Sequence, residues 1–191
     1  MAPTNDGNDT TQDEQPELHA ANNFKMKRHW GASLCFFYVK GEPLFTVGPH
    51  WPFFICMWSV LLTIGIFVNY YIASQQSWTV RFLAAAVTIW QAFIYLFTAI
   101  KNPGIATAKD PEDPELEKYT DYPNFCNVCK VLRDEEMYHC YDCDVCIKGY
   151  DHHCPWTGKC IGQGNLLPFY TFLFSTVAYI VFCILLTVHS V

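Results

Sequence analysis

Three long stretches without a charged side chain leave this 191-residue chain few ways to fold. From Trp51 to Val80 there is no Asp, Glu, Lys or Arg; Arg81 interrupts, and Phe82 to Ile100 is uncharged again. A third such stretch runs from Ile161 to Val191. Each holds about 20 or more mostly apolar residues, enough for an α-helix to cross a hydrocarbon layer roughly 30 Å thick. Buried helices of a water-soluble domain are usually shorter and broken by charge. Three transmembrane helices are expected, over 51–72, 82–100 and 166–191.

The basic residues orient these spans. Lys25, Lys27, Arg28 and Lys40 precede the first, and Lys101, Lys109, Lys118, Lys130, Arg133, Lys148 and Lys159 lie between the second and third. Arg81 falls in the short connection between the first two. Eleven of the 12 Lys and Arg residues thus share one side, which the positive-inside rule makes cytosolic. Thiols stay reduced there, so clustered cysteines read as metal ligands or catalysts and not as disulfides.

Such a cluster follows the second span. Between Cys126 and Cys160 lie seven cysteines and three histidines: Cys126-x2-Cys129, His139-Cys140-x2-Cys143-x2-Cys146, Asp151-His152-His153-Cys154 and Cys160. A Cys-x2-Cys pair brings two thiolates to one ion from a single tight turn, as tetrahedral zinc requires. Two closed sites use eight of the ten candidate ligands and leave one Cys and one His. The most economical spare pair lies in Asp151-His152-His153-Cys154, where a carboxylate, an imidazole and a thiol adjoin, the composition of an activated thiol nucleophile. Counting alone does not say which histidine binds metal. Cys56 and Cys183 read as small apolar residues within helices.

The remaining segments divide simply. Residues 1–23 are acidic, lack basic side chains and read as disordered. Residues 24–50 form a juxtamembrane segment, read as a short strand or an amphipathic piece lying on the membrane. Asn102-Pro103-Gly104 ends the second helix, and a linker over 101–122 carries six acidic residues from Asp110 to Asp121. A cysteine-rich region over 123–165 should hold short β-hairpins with little hydrophobic core of its own. The fold class is therefore an α-helical multi-pass membrane protein with an inserted cytosolic two-zinc domain. From Lys109 to Asn165 twelve acidic residues face six basic ones, the wrong sign for phosphate contacts, so nucleic acid is excluded as a partner. A RING-type ubiquitin ligase does not fit the adjacent His139-Cys140.

At these residues the chain resembles the DHHC-type protein S-acyltransferases, or palmitoyltransferases. The resemblance is carried by the Cys/His pattern, by Asp151-His152-His153-Cys154-Pro155-Trp156, by Cys160-Ile161-Gly162 and by Asn165-x3-Phe169. Asn102-Pro103-Gly104 looks like a variant of the family's Asp-Pro-Gly. The resemblance implies two structural zinc ions, one on Cys126, Cys129, His139 and Cys146, the other on Cys140, Cys143, His153 and Cys160. It makes Cys154 the nucleophile, His152 its base and Asp151 the group that orients His152. It also implies a fatty acyl-CoA co-substrate and, as acceptors, cytosolic cysteines of proteins associated with the lipid bilayer. The implied location is an endomembrane, Golgi or endoplasmic reticulum, or the plasma membrane.

Two features depart from the family. Its basic-Pro-x-Arg run reads here Arg133-Asp134-Glu135-Glu136-Met137-Tyr138; where those basic residues hold CoA phosphates, Glu135 and Glu136 do not replace them. The family also has a fourth span and a cytosolic tail, whereas this sequence reads to Val191. The alternative expectation is accordingly a truncated, weakly active or inactive zinc module acting by association with other acyltransferases.

Overall fold

A computed structural model describes residues 29–106, 108 and 112–188; the expected disorder of residues 1–23 lies outside them. The chain enters through a meander of β1 (His29–Trp30), β2 (Ser33–Val39) and β3 (Glu42–Val47), paired antiparallel in that order. Lys40 and Gly41 both have positive φ at the β2–β3 turn, the backbone twist a two-residue hairpin favours. The expected strand is therefore present, and its inner face packs against the cysteine-rich region. Trp30 and Cys35 pack in one core with Cys140, Cys143, Val145, Ile147 and Cys160 of the cysteine-rich region. That region shares its core with the meander, since two of the eight buried residues, Trp30 and Cys35, come from about 100 residues upstream in sequence.

Helix α1 (Trp51–Phe67) begins with Pro52 in its first turn, where the missing N–H costs nothing. Helical backbone continues through a π-turn (Val68–Ile72) and a 3₁₀ turn (Ala73–Gln75). Helix α2 (Trp78–Ile100) starts earlier than its charge pattern suggests. Arg81 belongs to its first turn and not to the connection: its backbone N–H reaches Ser77 O at 3.0 Å, and its guanidinium lies 4.4 Å from the Trp78 ring centroid. One charge with an aromatic partner does not stop a helix at an interface. Helix α3 spans Leu166–Val188. All three helices are long and apolar enough to cross a membrane.

Helix α2 packs against both α1 and α3. Polar side chains join them where lipid offers no hydrogen bonds. Gln91 donates to Thr176 Oγ1 at 2.6 Å and accepts from Ser175 Oγ at 2.7 Å. Asn69, in the π-turn, donates to Thr88 Oγ1 at 3.0 Å, and Thr88 lies 3.2 Å from Tyr179 OH.

Between α2 and α3 the chain builds a layer of very short strands: β4 (Ile105–Ala106), β5 (Phe125–Cys126), β6 (Val131–Leu132), β7 (Tyr138–Cys140), β8 (Val145–Ile147), β9 (His152–Cys154) and β10 (Lys159–Ile161). They pair as β4-β8-β7, β5-β6 and β9-β10. The linker is thus not all loop, since β4 joins the second Cys-x2-Cys hairpin. The start of α1, the end of α2 and the start of α3 all meet this layer. His50 N–H donates to Gly158 O, Lys159 Nζ to Lys101 O, and the Asn165 side-chain amide to Thr98 O.

Candidate metal centres and active site

Two clusters of four donors stand out: Cys126, Cys129, His139 and Cys146, and Cys140, Cys143, His153 and Cys160. We refer to the second, which touches the helix ends, as proximal, and to the first as distal. Within each, the donor atoms lie within 4.8 Å of one another. In the distal cluster His139 Nδ1 is 3.6, 3.3 and 3.8 Å from the sulfurs of Cys126, Cys129 and Cys146. In the proximal one His153 Nδ1 is 3.5, 3.5 and 3.6 Å from those of Cys140, Cys143 and Cys160. A tetrahedron with zinc–sulfur and zinc–nitrogen bonds of about 2.3 and 2.0 Å has sulfur–nitrogen edges of about 3.5 Å. The donor sets fit zinc in number, type and spacing.

The sequence builds each cluster from a knuckle. After each Cys-x2-Cys the next residue, Lys130 or Asp144, turns left-handed at φ 55° or 53°. This swings the second thiol inward and lets Lys130 N–H donate to Cys126 O at 2.7 Å. Thiols packed this closely share protons. A hydrogen bond from Cys146 helps pull the Cys129 thiol down to about 6, while the same contact pushes Cys146 up. Likewise bonds from Cys143 and Cys160 lower Cys140, and both partners are raised. A divalent cation that replaces those protons relieves the frustration, and its binding should release protons.

Asp151, His152 and Cys154 stay out of both clusters. The Asp151 carboxylate lies 3.0 Å from His152 Nδ1, so Nδ1–H donates to Oδ2 and Nε2 is free to accept. The His152 ring meets Phe169 edge-on at 5.3 Å. Cys154 is buried, 4 % exposed, at the end of β9. His152 and Cys154 share the wall of a cavity of about 380 Å³ with Met57 and Leu61 of α1, Tyr95 of α2 and Phe169, Phe172 and Leu173 of α3. Its lining is almost wholly apolar, and it includes Thr176, which is joined to Gln91. Tyr95 OH donates to Trp156 O at 2.7 Å, fastening the turn after Cys154 to α2. A second, open cavity of about 560 Å³ is lined by Glu135, Glu136, Tyr138, Tyr150 and Asp151. The acidic departure from the family's basic run therefore borders the outer side of Asp151.

Motif residues without an obvious chemical role prove to be joints. The Asn165 side chain accepts from Gly162 N–H at 3.0 Å and donates to Cys160 O at 3.2 Å, binding the start of α3 to the last cysteine ligand. Asn102 Oδ1 accepts from the N–H groups of Gly104 and Ile105, and Nδ2 donates to Pro43 O at 2.7 Å. An aspartate, as in the family's Asp-Pro-Gly, makes the first two bonds and not the third. Sequence reading missed His50, Thr46 and Lys159. Lys159, 1 % exposed, donates to Thr46 O, Thr46 Oγ1 and Lys101 O. Burial pulls its ammonium down to about 7, partly offset by the neighbouring Cys143, Cys35 and Cys160, which favour the charged form.

Comparison with known proteins gives this geometry a lineage. Residues 119–191 match the family model described as DHHC palmitoyltransferase. The matched residues are a DHHC domain. Over 188 aligned positions the chain is 29 % identical to "Probable protein S-acyltransferase 7" of Arabidopsis thaliana, covering 81 % of this chain and 42 % of that protein. Across 44 residues it is 48 % identical to "Palmitoyltransferase ZDHHC18-B" of Danio rerio and 46 % identical to "Palmitoyltransferase ZDHHC9" of Homo sapiens. These matches cover 23 % of this chain and 11 % and 12 % of the two relatives. The chain spans less than half the length of the curated relatives it matches. The DHHC domain contains all eight donors of the two clusters together with Asp151, His152 and Cys154.

Proposed function

We propose that this chain transfers a long-chain fatty acyl group, such as palmitoyl, from acyl-CoA to cysteine thiols of membrane-associated proteins, through a thioester on Cys154. The observation that carries this reading is the placement of Cys154 and His152 on the wall of an apolar cavity formed by all three helices. An acyl chain lies there while the CoA headgroup stays outside. His152 Nε2 takes the Cys154 proton, and the thiolate attacks the acyl carbonyl. A new sulfur–carbon bond forms, the bond to CoA breaks, and the imidazolium returns the proton to the departing CoA thiolate. The acceptor cysteine repeats the exchange in reverse order. Asp151 holds the tautomer that leaves Nε2 as base and favours the imidazolium between the two proton transfers. Thioester exchange is close to neutral in energy, so positioning carries most of the catalysis.

Zinc belongs in this reading as scaffold: closed sets of three thiolates and one imidazole leave no open position for substrate. The distribution of basic residues supports a cytosolic position for the cysteine-rich region, on the side where acyl-CoA is available. Incubation with a radiolabelled palmitoyl-CoA tests the proposal. One hydroxylamine-labile acyl group per chain is expected, absent in Cys154→Ser and slowed about 10²-fold or more in His152→Ala. Loading that persists in Cys154→Ser overturns it.

A further inference from the structure

His50, the last residue before α1, faces the proximal cluster from outside. Its Nδ1 lies 2.8 Å from His153 Nε2, with ring centroids 5.0 Å apart and planes at 80°. The other nitrogen of His153, Nδ1, points at three sulfurs within 3.6 Å. A metal-binding Nδ1 carries no proton, so Nε2 must carry it and His50 Nδ1 must accept. Ligating histidines are commonly held by such an outer partner, which fixes tautomer and ring plane. His50 is itself held. Its N–H donates to Gly158 O at 3.1 Å, its carbonyl accepts from Phe53 N–H at 3.0 Å, and its ring meets Phe53 at 6.2 Å. Gly158, at φ +78°, comes so near that a Cβ would stand 3.0 Å from Trp51 N and 3.1 Å from His50 O. The β9–β10 turn and the start of α1 are therefore one joint, and His153 within it immediately precedes Cys154.

We propose that His50 is the outer-shell positioning residue of the proximal zinc site, coupling α1 to the metal and through His153 to Cys154. Among the described residues the distal site has no such tie: His139 Nε2 faces the exposed carboxylate of Asp144, at 3.7 Å. The inference rests on the reading of the proximal cluster as a zinc site, and the two are separable in one experiment. Metal analysis of the unaltered full chain in detergent tests the site itself: two zinc ions are expected, and fewer overturn the site. Transfer of zinc to a chromophoric chelator then tests His50. His50→Phe keeps a ring against Phe53 and removes the acceptor; one of the two ions should leave about 10-fold faster or more, with the other unchanged. His50→Asn sets an amide oxygen near the place of Nδ1 and should restore release to within a few-fold of the unaltered chain. Identical release from His50→Phe and the unaltered chain overturns the proposal. So does a failure of His50→Asn to differ from His50→Phe, because a purely steric role predicts no rescue.

Discussion

The two metal clusters have the same ligands in the same order of types, yet they are mounted differently. The distal cluster is held by β5, β6 and the knuckle hairpin, with Asp144 as an exposed companion to its histidine. The ligands of both clusters are buried apart from the half-buried His153, but the proximal cluster is the one tied to the helices, through His50, Lys159 and Asn165. Its histidine and last cysteine lie on β9 and β10, paired with each other across the turn that follows Cys154. One donor set thus shapes a peripheral hairpin, and the other holds the candidate nucleophile on the wall of the apolar cavity. Position within the fold, not coordination chemistry, separates their roles.

The sharpest way to break this comparison is to remove one ligand from each. Cys143→Ala and Cys129→Ala should each lose a zinc ion. Cys143→Ala should abolish acyl loading of Cys154, by about 100-fold or more, because β9 and β10 lose their common anchor. Cys129→Ala should retain the proximal ion and load within about 10-fold of the unaltered chain. Cys154→Ser should keep both ions. Zinc stoichiometry with single-turnover loading checks all three, and equal loss of loading in both ligand variants would make the clusters equivalent.

A smaller effect is expected at Lys159. Lys159→Met keeps the length of the side chain and removes three hydrogen bonds, leaving the buried carbonyls of Thr46 and Lys101 without their donor. The cost should be about 3 kcal/mol, as for buried acceptors left without a donor. Zinc release on heating locates it. The proximal ion should leave at lower temperature, while the distal ion, with no bond to Lys159, should hold. A uniform shift of both would mean that the two clusters unfold as one unit.

The same contrast explains what was legible in the sequence. Cys-x2-Cys spacing and charge-free length are local signals, so the donors and the three helices could be read directly. The Asp151–His152 pair is a contact between neighbours. His50 and His153 lie 103 residues apart, and Thr46 and Lys159 lie 113 apart, so no local pattern pairs them. The meander was readable only as a strand of uncertain placement, since its buried face is completed by Val145 and Ile147. Arg81 misled because charge was read as a boundary, while Trp78 lets it remain in the helix. Asn165 was visible as part of a motif; its action as a joint between Cys160 and α3 required the three-dimensional arrangement.

The smallest expected effect separates the two knuckles themselves. Lys130 and Asp144 hold the same left-handed conformation after their Cys-x2-Cys pairs, one that costs a non-glycine residue about 1 kcal/mol. Lys130→Gly relieves that strain and gives back part of the gain as unfolded-state entropy, for a net of about 0.5 kcal/mol. The distal ion should then leave roughly 1–2 °C higher on heating. Asp144→Gly relieves the same strain but removes the carboxylate 3.7 Å from His139 Nε2. If that carboxylate orients the imidazole, Asp144→Gly should show no gain or a small loss, and the difference between the two variants measures its contribution. An equal gain in both would leave His139 without an effective outer partner, and would widen the contrast with His153 and its bond to His50.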